Sequence, residues 1–167
     1  MTNPKSAVAT VWTRRLQWLT VACSVVLTIG TTLQNFVIVD AEMLSHSMRL
    51  AGLSAAEADA ESAGFLVGFR VVGCAFIVGN ALGLLALRGD TWVFWLVVAV
   101  NAGQAAGVVA VPPEVFRASI DLYGPAGILP TVVTDGGALL LLVTLLVSLV
   151  VFRAPWARRR VEVPRPS

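Results

Sequence analysis

Four apolar runs, each long enough to cross a hydrocarbon core, constrain this chain more than any other feature. A helix needs about 20 such residues to span a bilayer. The runs are Leu16 to Val39, Ala63 to Leu87, Trp92 to Val111 and Ile128 to Phe152. They use more than half of the 167 residues, which leaves no room for a separate soluble domain. Charged residues make up only 13% of the chain and mean hydropathy is +0.81, whereas soluble domains carry about a quarter charged residues. The expected fold is therefore all-α, an integral membrane four-helix bundle over residues 1–152 with a basic, flexible tail over 153–167. Arg14 and Arg15 read as anchors of a retained first helix, because an export signal has a shorter apolar stretch and a small-residue cleavage site.

The arginines give the expected orientation. An even number of spans puts both termini on one side. Lys5, Arg14, Arg15, Arg88, Arg153, Arg158, Arg159, Arg160 and Arg165 then share that side, nine of the 12 basic residues. Only Arg49, Arg70 and Arg117 fall elsewhere, so the positive-inside rule predicts cytoplasmic termini in a bacterial-type inner membrane. The first outer loop is acidic, with Asp40, Glu42, Glu57, Asp59 and Glu61. The tail needs no nucleic acid to explain it; a plain stop-transfer signal accounts for its charge, and attraction to membrane lipid headgroups is the alternative.

Between the spans, Ser54 and Glu57 have capping-box spacing, which predicts a helix that starts there and runs unbroken into span two. Met43, Leu44 and Met48 fall on one helical side, the pattern of a short helix lying at the membrane interface. His46, within it, is expected to be solvated. "LRGDTW" predicts a tight turn capped by Asp90 or Thr91. Pro112 and Pro113 should end span three, "EVFRASIDLYG" should form a second short helix, and Gly124 to Pro130 should break the chain before span four.

Side-chain amides and charges are poorly matched to hydrocarbon, so those inside the spans are the candidate functional residues. At about 1.5 Å rise per residue, Arg70, Gln104 and Asp135 each lie roughly 10 Å below the outer end of their span. Gln34 and Asn35 are slightly shallower, Asn101 lies nearer the middle, and Asn80 is deeper. Arg70, Gly73, Ile77 and Asn80 share one face of span two; Phe94, Asn101, Gln104 and Val108 share one face of span three. These stripes predict a polar pocket open to the outside, with Arg70 opposite Asp135 and Gln34, Asn35, Asn101 and Gln104 around them. The alternative is that Arg70 snorkels to headgroups, Asp135 caps a later helix, and the amides only hold helices together.

Several chemistries find no support. Cys23 and Cys74 form no C-x-x-C pair, one histidine and scattered carboxylates suggest no metal site, and no cofactor motif appears. Gly64 and Gly68, Gly79 and Gly83, and Gly103 and Gly107 have small-xxx-small spacing, which suits tight helix packing and allows a homodimer.

From span two onward the chain resembles the DoxX-like small bacterial four-helix membrane proteins. The likeness rests on "FRVVGCAFIVGNALGLLALRGD", "NAGQAAGVV" and "YGPAGILPTVVTDGGALLLL". They share an arginine and glycine early in span two, a basic turn, a polar residue in span three, and a Gly-Pro break before an acidic residue. Gln104 stands where such proteins often carry arginine. The resemblance implies the four-helix fold and little about activity. The leading expectation is a non-enzymatic membrane protein that binds a small hydrophobic or lipid-like molecule. Two other readings use the same residues. One is an isomerase- or cyclase-like membrane enzyme, with Asp135 as acid/base and Arg70 stabilising negative charge. The other is a proton-coupled carrier using Asp135.

Overall fold

The computed structural model describes residues 5–162. Four helical segments are long and apolar enough to cross a membrane, so this is a multi-pass membrane protein by length and composition. The first is α1 (Val11–Leu33), continued by a π-helical turn at Gln34–Ile38. Two helices follow: α2 (Ala41–Leu50), and the long α3 (Ala55–Leu82), which ends in a 3₁₀ segment at Gly83–Arg88. The third span joins α4 (Thr91–Ala105) to a short α5 (Gly107–Ala110). Then come α6 (Pro113–Tyr123), a 3₁₀ turn at Gly124–Ile128, α7 (Leu129–Thr131), a π-helical turn at Val132–Gly136, and α8 (Gly137–Phe152).

Local chemistry explains where these elements begin. The Ser54 backbone N–H donates to Glu57 Oε2 at 3.0 Å and the Glu57 N–H donates to Ser54 Oγ at 3.4 Å, completing the predicted capping box of α3. Asp40 caps α2 by accepting from the Met43 N–H at 2.8 Å. Asp90 is the N-cap residue of α4 by position, but its side chain makes no capping hydrogen bond. Gly89 closes the preceding turn at φ +73°, and a Cβ there would collide with the Arg158 guanidinium.

At the end carrying both termini, β1 (Lys5–Val8) pairs antiparallel with β2 (Arg159–Glu162). The helices are therefore joined by a short strand ribbon that hydropathy did not predict. The start of the expected flexible tail is instead packed. Trp156 is fully buried, meets Phe94 edge to face at 5.2 Å between centroids, and donates from Nε1 to the Asp90 carbonyl at 2.8 Å. Arg158 donates to the Gly89 carbonyl, and the Ala157 carbonyl accepts from Thr10 Oγ1, both at 2.8 Å. Arg165 lies outside the described residues. Above this plug, Leu27, Val93, Val97, Leu141 and Leu145 fill a dry core between α1, α4 and α8.

At the opposite, distal end, α2 and α6 lie across the helix ends. Met43 and Leu44 pack with Val39 and Ala118 against Leu66, Phe69 and Val115. The apolar side of α2 thus faces protein, where an interfacial helix would have turned it to lipid. His46 is not simply solvated either: its Nε2 lies 2.9 Å from Asp121 Oδ2, tying α2 to α6. Tyr123 donates to Asp40 at 2.9 Å and Ser45 to Asp59 at 2.5 Å, so two of the loop carboxylates hold this cap together.

Candidate functional site

The polar residues of the spans converge beneath the distal cap. A cavity of about 140 Å³ is lined by Thr31, Gln34 and Asn35 from the first span and by Val72, Gly73 and Phe76 from the second. The third span contributes Gly103, Gln104 and Gly107, and the fourth contributes Asp135. Water occupies about 30 Å³ per molecule in the liquid, so this space holds about four waters or a compact head group. All four spans therefore supply a wall.

Hydrogen bonds run around it. Asn80 Nδ2 donates to Gln104 Oε1 at 2.8 Å, and Gln104 Nε2 donates to Thr31 Oγ1 at 2.9 Å. This chain links three spans through both ends of one amide. Across the cavity, Thr134 Oγ1 lies 3.1 Å from Gln34 Oε1, 3.2 Å from Asp135 Oδ1 and 3.2 Å from the Thr131 carbonyl of its own helix. A hydroxyl has a single proton, so it serves one of these acceptors at a time. Among the described residues, Asn35 Oδ1 and Asn80 Oδ1 are buried without a partner, and the second oxygen of Asp135 makes no hydrogen bond.

The backbone makes room for these groups. Both π turns fall on cavity residues: one carries Gln34 and Asn35, the other Thr134 and Asp135. A π turn inserts an extra residue into the helix, a device common at functional sites. Gly107 lies against the Asp135 carboxylate and Gly73 against the Asn35 amide, so close that a Cβ on either would overlap those atoms. The Gly103–Gly107 spacing thus accommodates a buried carboxylate and Phe76, where helix packing alone was expected. Gly79 does pack on a neighbouring span, against Val100, whereas Gly64 and Gly68 have nothing within 4 Å.

The expected pairing of Arg70 with Asp135 is absent among the described residues, where the one ion pair is His46–Asp121. The Arg70 guanidinium carbon lies 5.5 Å from the centroid of the Phe36 ring, and its buried Nε has no partner. The reason is Asn35. Its amide fills the space beside Gly73 and donates to the Arg70 backbone carbonyl at 3.4 Å, while the guanidinium lies over the Phe36 ring. Asn101 is also absent from the cavity wall: its Nδ2 donates back to the Val97 carbonyl at 2.8 Å. Gln34, Asn35, Gln104 and Asp135 are brought together; Arg70 and Asn101 are not.

No family model, curated protein or solved structure matches this chain. Its function is therefore argued from the cavity alone.

The distal side is roofed by the apolar layer of α2 and α6, which shares Phe69 with the cavity wall. Amphipathic helices bury that face because water on it is unfavourable. The exposed rim residues are instead Val72 and Gly103, both near the middle of their spans. The exposed part of the cavity wall thus lies on α3 and α4.

Sequence reasoning missed Thr31 and Thr134, which complete the hydrogen-bond chains. Threonine in a membrane helix commonly bonds to its own backbone, as Thr20 and Thr28 do here, so composition gave no reason to single out these two. Among the described residues, no three His, Cys, Asp or Glu side chains cluster as a metal-binding set.

Proposed function

We propose that this is a non-enzymatic protein of a bacterial-type inner membrane, with both termini cytoplasmic, that holds one small amphiphile in the cavity around Asp135. The DoxX-like resemblance of spans two to four belongs to the same proposal. The orientation rests on the nine basic residues at the terminal side. The ligand reading rests on one observation: a cavity gathers Gln34, Asn35, Gln104 and Asp135 from three spans, with an Asn35 acceptor that has no partner and with its exposed lining residues on α3 and α4. Buried acceptors without partners cost stability, and a ligand head that donates hydrogen bonds would remove that cost. Its apolar part would lie between α3 and α4. A hydroxyl- or amine-headed, lipid-like molecule fits this description.

The acid–base reading has less support, because Arg70 is not positioned to stabilise charge developing near Asp135. A carrier would need a route onward from the cavity, and Phe94 and Trp156 fill that path. The test is mass spectrometry of small molecules extracted from the purified protein. One amphiphile should co-purify near equimolar amounts with the native chain and be lost from Asp135→Asn. Equal recovery from both would reject the reading.

A further inference from the structure

We infer that a second, separate site at the terminal end binds an anionic phospholipid, with its phosphate on Arg15 and an acyl chain in the groove between α1 and α8. A surface groove of about 580 Å³ runs between these helices. Leu16 and Leu19 line one wall, and Val143, Val147 and Val151 line the other. Two hydroxyls also border it, but both are already satisfied by their own helix: Thr144 donates to the Leu140 carbonyl and Ser148 to the Leu145 carbonyl, each at 2.8 Å. The walls therefore offer hydrocarbon and no free donor along their length. From Val143 to Val151 the slot extends about 12 Å along the helix axis.

The chemistry changes at one end. Arg15 and Trp12 border the groove there, with the guanidinium carbon 5.1 Å from the centroid of the Trp12 ring. Tryptophan is enriched at membrane–water boundaries, and a guanidinium matches phosphate geometry with two parallel donors. Among the described residues Arg15 has no carboxylate partner. Basic pockets between helices on the cytoplasmic side are places where anionic head groups bind. A slot with a cation only at its boundary end fits a lipid with one negative head and an extended tail. The inference needs only that the arginine-rich end lies at head-group level and is independent of the Asp135 cavity.

The test is native mass spectrometry of the full chain released from mixed micelles of phosphatidylglycerol and phosphatidylcholine. The native chain should retain phosphatidylglycerol about fivefold over phosphatidylcholine, the effect of one cation at a membrane surface. Arg15→Gln should remove that preference, while Arg14→Gln, one residue away and outside the groove, should keep it. Val147→Trp, which fills the slot, should reduce retention of both lipids, with circular dichroism confirming that the helices persist. Equal retention of the two lipids by the native chain would overturn the site. So would an equal loss in the Arg14 and Arg15 variants, since that would indicate diffuse surface charge.

Discussion

At the terminal end, Trp156 and Phe94 close a dry core and the polar groups nearby are spent on backbone carbonyls. At the distal end, amides, hydroxyls and a carboxylate from all four spans surround an unfilled space. The two ends bury side chains under the same constraint and resolve it differently. Within lipid, apolar packing gains little from leaving the solvent, so helices are held by close fit and by interhelical hydrogen bonds. The terminal half uses fit. The distal half gives up fit, bends two helices into π turns and leaves the Asn35 acceptor unpartnered. A bundle that needed only stability would gain nothing from that arrangement, which is why the Asp135 cavity is read as a site.

The largest effect should come from breaking the dry end. Trp156→Ala removes the buried indole and one of the two hydrogen bonds to the Asp90 carbonyl, so stability in detergent should fall by about 3–5 kcal/mol. If thermal unfolding shows no greater loss than for a distal-half substitution, the contrast between the ends fails. Next, Gly107→Ala drives a methyl group into the Asp135 carboxylate and should cost about 1–3 kcal/mol. Gly64→Ala, made in open space on the same kind of helix, should cost nothing measurable in the same assay.

Smaller effects sharpen the polar half. A double-mutant cycle on Asn80→Ala and Gln104→Ala should give a coupling of about 0.6–2 kcal/mol, as membrane hydrogen bonds do. A coupling of zero would mean that this hydrogen bond does not form in the bilayer. The weakest expected change is His46→Ala, because its pair with Asp121 is partly exposed, and such pairs contribute about 0.2–1 kcal/mol. Thermal unfolding of this variant should differ least from that of the native chain. Disulfide trapping, with Cys23 and Cys74 replaced by serine, provides a geometric check. Cysteines at 107 and 135 should crosslink, and cysteines at 70 and 135 should not.

Much of this was legible in the chain. Helical periodicity put Gly73, Asn80, Phe94, Asn101 and Gln104 on inward faces, and all five are buried. Equal depth brought Gln104, Gln34 and Asp135 into one cavity. Val108 broke the pattern: it is exposed, while Gly107 and Val111 keep the cavity-facing line of Gly103. Arg70 was at the right level but pointed elsewhere, since depth says nothing of which neighbour occupies the intervening space. The π turns left no mark that hydropathy or spacing would reveal. Trp156 was hidden by its surroundings: next to a proline and a run of arginines it read as tail, although an indole has more apolar surface to bury than any residue near it.

That indole has a consequence for biogenesis. Trp156 follows all four spans in chain order, yet its neighbour Ala157 anchors Thr10 at the start of the first. Each span can enter the bilayer as it is made, but none can settle against this latch until the ribosome has passed the fourth. Insertion and closure are therefore separate events. A nascent chain stalled between them would be threaded through the membrane while its terminal end still hung open, a ready substrate for a quality-control protease.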